Sequence, residues 1–166
     1  MRFVLISVLV LFSLGSCTNI NFLLDENSGA NFLKNKTSVY ISGCDSPVLK
    51  EAFFLRLGET SDNRFFLTAE ATQKQTKRSV DENQVAKKID YKIIINYSLS
   101  DTKKKCSNVS NIQTSSFSFT PKSSGYNFAS DVLFENLLKE AVLKNVDDFM
   151  DFANSALQSQ NCIDEN

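Results

Sequence analysis

The stretch from Ile89 to Ser100, IDYKIIINYSLS, alternates between apolar and polar side chains with a single interruption at Ile94. Because successive side chains of a β-strand point to opposite faces, this pattern predicts a strand with one apolar and one wet face. Such strands belong to sheets that are covered on one side only. The chain must therefore supply other strands to pair with this one and an apolar layer to cover it.

Three further stretches have the features of strands, at 37–43, 64–74 and 109–121. The first ends in a glycine, the second is rich in aromatic and threonine residues, and a proline ends the third. Between the last three strands lie polar segments. We expect a long hairpin loop at 75–88 and a charged turn at 101–108.

Two stretches carry apolar residues at helical spacing and are predicted to be amphipathic helices. The first, 46–58, has Ser46 placed as an N-cap, a proline at the first helical position and a glycine just past its end. The second begins at Ser130, its predicted cap, and extends to about Leu157. The order β-α-β-β-β-α predicts an α+β fold with two helices packed on one face of a mostly antiparallel four-stranded sheet.

The amino terminus has the organisation of an export signal. A single positive charge at Arg2 precedes an apolar run from Phe3 to Leu14 that is too short for a membrane span, which takes about 20 residues. Leu14-Gly15-Ser16-Cys17 then resembles a bacterial lipobox, which implies cleavage before Cys17, a lipid on its thiol and acylation of the new amino terminus. The alternative is an ordinary secretory signal with an accidental cysteine.

We therefore expect a signal peptide at 1–16, a lipidated tether at 17–36, a folded domain at 37–160 and a short tail at 161–166. Several acyl chains would hold the protein on a bilayer where one chain would not. The residue after the cysteine, Thr18, is similar to that of lipoproteins sorted to the outer membrane. The predicted location is the outer membrane, facing the periplasm.

Composition narrows the class of function. The chain has no histidine, which removes the commonest general base and the commonest metal ligand, and its formal net charge is −1. We expect that the protein is not an enzyme, that it holds no cofactor or metal ion, and that it does not bind nucleic acid. The mature chain would hold an odd number of further cysteines, Cys44, Cys106 and Cys162, so one disulfide and one free thiol are possible and the pairing is open.

Three stretches resemble the LPS-assembly lipoprotein family (LptE/RlpB), particularly its alphaproteobacterial branch, over 37–153. VLKEAFFLRLG stands in the place of the family's first helix, and IDYKIIINYSLSD is similar to its long strand with a YxLxD ending at Tyr97, Leu99 and Asp101. GYNFASDVLFENLLKEAVLKNVDDFMDFA looks like its carboxyl-terminal region. There the matching residues are Tyr126, Asn127, Ser130, Glu140 and Ala141.

The resemblance implies a subunit that plugs the large β-barrel LptD, assists assembly of that barrel and binds lipopolysaccharide. A compact body with a polar surface suits the polar lumen of a wide barrel. The alternative is an accessory lipoprotein of another envelope complex, such as a lipid transporter or a cell-wall synthase activator.

Clustered cations are the candidate contacts for lipopolysaccharide or another anionic lipid. One group, Lys103, Lys104 and Lys105, lies in the predicted turn; the other lies in or beside the predicted hairpin loop and comprises Lys74, Lys77, Arg78, Lys87 and Lys88. Because neighbouring turns of an antiparallel meander fall at opposite ends of the sheet, we expect two separate patches. The alternative interpretation is solvated turn lysines that discourage edge pairing.

Overall fold

The computed structural model describes residues 31–80, 86–103, 105–121 and 128–160, with the backbone alone at 79–80, 86–87 and 128–129. Six elements follow one another along the chain: β1 (Thr37–Gly43), α1 (Ser46–Leu57), β2 (Phe65–Val80), β3 (Ala86–Asp101), β4 (Val109–Phe119) and α2 (Phe128–Ser159). The predicted element order is confirmed. The predicted signal peptide, Cys17 and the tail lie outside the described residues.

The four strands form one sheet in the order β1-β2-β3-β4. β1 is parallel to β2, and the β2–β3 and β3–β4 pairs are antiparallel, as the connections of a helix and two turns require. The alternation in β3 places Ile93, Ile95, Tyr97 and Leu99 in the core. The predicted α+β fold with a mostly antiparallel sheet is confirmed.

Both helices cover the buried face of the sheet. α2 buries Val142, Val146 and Phe149, and α1 buries Leu49 and Phe53. The aromatic ring of Phe149 stacks on Tyr97, with ring centroids 4.1 Å apart, so the long helix is held against the centre of β3.

The core also includes a residue from the predicted tether. Leu33 is fully buried, and the turn formed by residues 32–36 is closed by hydrogen bonds such as that from Asn35 N to Leu57 O at 2.7 Å. The segment before β1 therefore packs on the folded body from residue 31 onward.

Both predicted helix caps are wrong. Asp45 precedes α1 in a left-handed conformation without a side-chain cap, and the Ser46 hydroxyl instead donates to Gly43 O at 2.9 Å. The tight reversal between β1 and α1 brings that carbonyl within reach of the serine. Ser130 cannot be the cap of α2, because the helix begins earlier, at Phe128, and Ser130 lies inside it as a buried residue. At the other end of α1, Gly58 takes the predicted capping position with φ 69°.

The predicted hairpin loop at 75–88 is also wrong in its extent. β2 and β3 continue in register through Gln75–Tyr91 and Lys77–Ile89, with an irregularity only near residue 79. Gln75 and Lys77 belong to the buried face of β2 by alternation, yet both are exposed. At this level α2 covers β3 but not β2, since Tyr91 packs against Phe134 while Gln75 and Lys77 are exposed. β2 therefore carries polar side chains on both faces, and the apolar alternation that marks a strand is lost.

None of the helices within the described ranges combines the length and the apolar composition that a membrane span requires.

Candidate functional site

The basic residues singled out from the sequence lie at opposite ends of the sheet. Lys103 and Lys105 are in the turn between β3 and β4, whereas Lys77, Arg78 and Lys88 are on the β2–β3 hairpin. Lys87 is also on that hairpin, with its backbone alone described, and Lys104 lies outside the described residues. The structure keeps the two groups apart because the two turns close antiparallel pairs that share β3.

At the turn end, the chain is folded around the Asp101 carboxylate. Asp101 is buried and accepts hydrogen bonds from the backbone N–H groups of Lys103 and Lys105, at 2.9 and 3.2 Å. The Lys103 ammonium also lies 3.9 Å from the Asp62 carboxylate. This acid of the YxLxD sequence therefore shapes the turn, and a second acid offsets one of its lysines.

At the hairpin end, the outer face of the sheet carries four cations around one acid. We call this the hairpin basic surface; its members are Lys74, Arg78, Lys88, Lys92 and the acid Asp90. Lys74 and Lys92 are directly opposite in the β2–β3 register and both are exposed. Like charges directly opposite each other destabilise a pair of strands, so this arrangement lowers the stability of the hairpin.

Asp90 is the centre of this surface. Its carboxylate accepts a hydrogen bond from the Ser118 hydroxyl at 2.7 Å and pairs with the Arg78 guanidinium. The Ser118 hydrogen bond, followed by the charges of Arg78 and Lys88, lowers the pKa of Asp90. Asp90 therefore offsets the arginine, while Lys74 and Lys92 have no ion-pair partner in the part of the chain that is described.

A depression of about 540 Å³ opens on the hairpin basic surface. Its lining combines charged and hydroxyl-bearing side chains, those of Thr76, Arg78, Asp90, Lys92, Ser116 and Ser118. Tyr91 and Phe117 also border it, although their rings pack on Phe134 at the covered face of the sheet. Ammonium and hydroxyl donors that converge on one opening are suited to a phosphate or carboxylate group. Lys92 was not a sequence candidate, because only the strand register brings it opposite Lys74.

A second opening is apolar. It has a volume of about 640 Å³ and lies between β1 and α1, with Val39, Ile41, Pro47 and Phe54 among its lining residues. Phe54 is 58% exposed beside it, so part of the first helix presents an aromatic ring to solvent.

The cysteines of the described chain differ in state. Cys106 is disulfide-bonded and Cys44 is free. Burial, together with the neighbouring Asp45, raises the pKa of the Cys44 thiol. No group of side chains suited to a metal ion occurs within the described ranges.

Comparison with known proteins gives the class of this fold. No family model matches the sequence, and no curated protein matches it. Among solved structures, the chain is similar to one from Caulobacter crescentus described as a lipoprotein, with a TM-score of 0.61 and 12% identity over 80% of this chain and 96% of that one. At this identity the likeness shows a shared fold, that of a small α+β lipoprotein.

Two further structures have more specific names. Rare lipoprotein B from Shewanella oneidensis has a TM-score of 0.52 and 12% identity, covering 74% of this chain and 98% of that one. A minor lipoprotein from Acinetobacter baumannii has a TM-score of 0.53 and 10% identity, with coverage of 74% and 93%. The chain thus has the fold of rare lipoprotein B, in agreement with the resemblance to the LptE/RlpB family.

Proposed function

We propose that this protein is an outer-membrane lipoprotein that plugs an LptD-type β-barrel, assists its assembly and binds lipopolysaccharide. The observation that carries the proposal is the fold shared with rare lipoprotein B over 98% of that chain. The lipobox ending at Cys17 and the YxLxD sequence of β3 support it independently. The proposed role makes and breaks no covalent bond.

The outer face of the sheet supports a place inside a polar lumen. Its side chains are mainly hydroxyls, and several donate to neighbouring strands: Thr68 to Ser98 O, Thr72 to Ile94 O and Ser100 to Phe66 O, each at 3.3 Å. These bonds leave a largely uncharged and polar face over most of the sheet. Such a face is compatible with the polar interior of a wide barrel.

The hairpin basic surface supports contact with lipopolysaccharide. Lys74 and Lys92 lack acidic partners among the described residues, and a basic side chain near an anionic lipid surface contributes about 1 kcal/mol. The phosphate groups of the lipid would relieve the repulsion between the two opposed lysines. We propose this end of the sheet, rather than the Asp101 turn, as the main lipid contact.

Purification of the full-length lipoprotein from its own membranes, with a carboxyl-terminal tag, tests the plug. The expected result is recovery of a large, heat-modifiable β-barrel that mass spectrometry identifies as the LptD type. Recovery of an inner-membrane transporter or of a cell-wall synthase instead would reject the plug and support an accessory lipoprotein of another envelope complex.

Metabolic labelling with a fatty acid tests the anchor. Wild-type protein and a Cys44→Ala control are expected to carry label, and Cys17→Ala to lose it and keep its uncleaved signal. Label retained in Cys17→Ala would remove the lipoprotein assignment.

A further inference from the structure

β4 is a long edge strand without the usual protection. It pairs with β3 in continuous register from Val109 to Phe119, and no other described residue forms a hydrogen bond with its backbone. Its 11 residues, VSNIQTSSFSF, contain no charge and no proline, and its register has no bulge. Charges, prolines, bulges or short length normally protect such edges from pairing with another chain.

The opposite edge of the sheet is different. β1 has 7 residues, and the Thr60 hydroxyl donates to Thr37 O at 2.8 Å near its start. On β4, in contrast, Ile112 is 64% exposed next to the unpaired backbone. As far as the described residues go, the apolar side chain of Ile112 and the free hydrogen-bonding groups of β4 are therefore available to the same neighbour.

A groove runs beside this free edge. Its volume is about 370 Å³, and its lining comes from the middle of β4 and from one side of α2: Thr114, Ser115, Ser116, Phe117, Leu137, Glu140, Ala141 and Lys144. Lys144 is already paired with Asp148 of its own helix, at 2.7 Å. Glu140 has no ion-pair partner within the described ranges, so the groove carries an uncompensated negative charge.

We infer that the free edge of β4 is a strand-docking site for an extended segment of the barrel partner. The segment would add a fifth strand to the sheet through main-chain hydrogen bonds. It would be uncharged along the edge and would place one Lys or Arg side chain in the groove, opposite Glu140. This inference rests on the proposed function, since it names the contact by which the barrel holds its plug.

The inference also gives a role to the Glu140-Ala141 pair on which the family resemblance partly rests. Glu140 supplies the charge that selects a cation, and Ala141, buried at the floor of the groove, leaves room for a side chain to enter. A larger residue at 141 would fill that space.

Charge argues against a second copy of this chain as the occupant. Antiparallel pairing of two β4 strands about Thr114 or Ser116 would set two α2 helices side by side. Each α2 contains six acidic residues and two basic ones, so the two helices would repel each other. A partner segment with a basic side chain has the complementary charge.

The test uses the full-length lipoprotein in its own membranes and measures the barrel recovered with it. Glu140→Lys is expected to lower recovery about tenfold, whereas Glu135→Lys, the same change elsewhere on α2, leaves it unchanged. In parallel, a photo-cross-linking residue at Thr114 or Ser116 is expected to label the barrel within one extended segment. The same residue at Thr72, on the outer face of the central strand β2, is the comparison. Because this face is also proposed to lie in the barrel lumen, Thr72 is expected to label barrel segments other than the one that Thr114 and Ser116 label.

The outcomes separate the two proposals. If wild-type protein brings down no barrel, both the plug and the docking strand are rejected. If wild-type and Glu140→Lys bring down equal amounts, or if Thr72 cross-links to the barrel and Thr114 and Ser116 do not, the docking strand alone is rejected. A cross-link from Thr114 to a second copy also rejects it. Circular dichroism of each variant is compared with that of the wild type to check that the variant is folded, and the cross-links test the docking strand without a charge reversal.

Discussion

The phenolic hydroxyl of Tyr97 donates a hydrogen bond of 2.8 Å to Asn145 Oδ1, and both residues are buried between the sheet and α2. Asn145 Nδ2 in turn lies 3.4 Å from the Ser115 hydroxyl on β4. Burial raises the pKa of the Tyr97 phenol, so it remains a neutral donor. Two polar contacts of Asn145 therefore connect the long helix to the two strands beneath it, β3 and β4.

Asn145→Ala should destabilise the protein by about 1–3 kcal/mol, because it leaves the buried Tyr97 hydroxyl without an acceptor. Tyr97→Phe alone should also destabilise, and the double variant should cost less than the sum of the two. Urea unfolding of all four proteins measures this coupling. Strict additivity would contradict the view that the two groups act as a pair.

The lowered pKa of Asp90 predicts a pH effect at the hairpin. A carboxylate with a lowered folded pKa stabilises the fold above its unfolded value of about 3.9, and that contribution is lost as pH falls through the folded pKa. NMR titration of the Asp90 carboxyl should give a midpoint below the unfolded value. Ser118→Ala should raise it, since the Ser118 hydrogen bond is the largest cause of the shift. An unchanged midpoint in Ser118→Ala would refute this assignment.

Replacing the opposed lysines should separate stability from binding. In Lys74→Gln/Lys92→Gln, loss of the cross-strand repulsion should raise the free energy of unfolding by about 0.2–1 kcal/mol. The double variant should be retained less than the wild type on vesicles that contain anionic lipid. This difference between the two proteins should shrink at high salt, because salt screens the charges. Lys34→Gln/Lys36→Gln removes the same charge from the turn before β1 and should bind like the wild type. If both double variants lost vesicle retention equally, the effect would follow from net charge alone and not from the hairpin basic surface.

Gly43 should tolerate no side chain. Its φ is 93°, and a Cβ there would lie 2.0 Å from the Ala71 carbonyl oxygen on the neighbouring strand. Gly43→Ala should therefore destabilise by more than the roughly 1–3 kcal/mol of backbone strain alone. Gly58→Ala is the comparison, because a Cβ there meets the Asn35 side chain, which can move. Thermal unfolding should rank Gly43→Ala well below Gly58→Ala, and the reverse order would be inconsistent with this register.

The cysteines should react differently. Under non-reducing, non-denaturing conditions an alkylating reagent should label Cys44 and leave Cys106 unlabelled. Labelling of Cys44 should be slow, because its raised pKa reduces the thiolate fraction, and Asp45→Asn should speed it. Peptide mapping that pairs Cys106 with Cys44 would contradict the assignment of Cys44 as the free thiol.

The sequence alone determined the order of elements and the buried face of β3. The period-two alternation from Ile89 to Leu99 and the helical spacing from Leu138 to Leu157 are local patterns that follow directly from burial of one face. The bounds of β1 and of β4 near Val109 also followed from local signals, glycine at one and a charged turn at the other. Both predicted helix caps were wrong, because the Ser46 hydroxyl donates to Gly43 O and α2 begins before Ser130.

Only the tertiary structure decided what lies beside what. The outer half of β2 is not covered by the helices, so it has no apolar face by which the sequence could identify it as a strand. The pairing of Lys74 with Lys92 depends on a register that no local pattern encodes. The free edge of β4 and the charge of Glu140 beside it likewise exist only once α2 lies against the sheet. Alternation is a property of one strand, whereas register, edges and grooves are properties of several elements packed together.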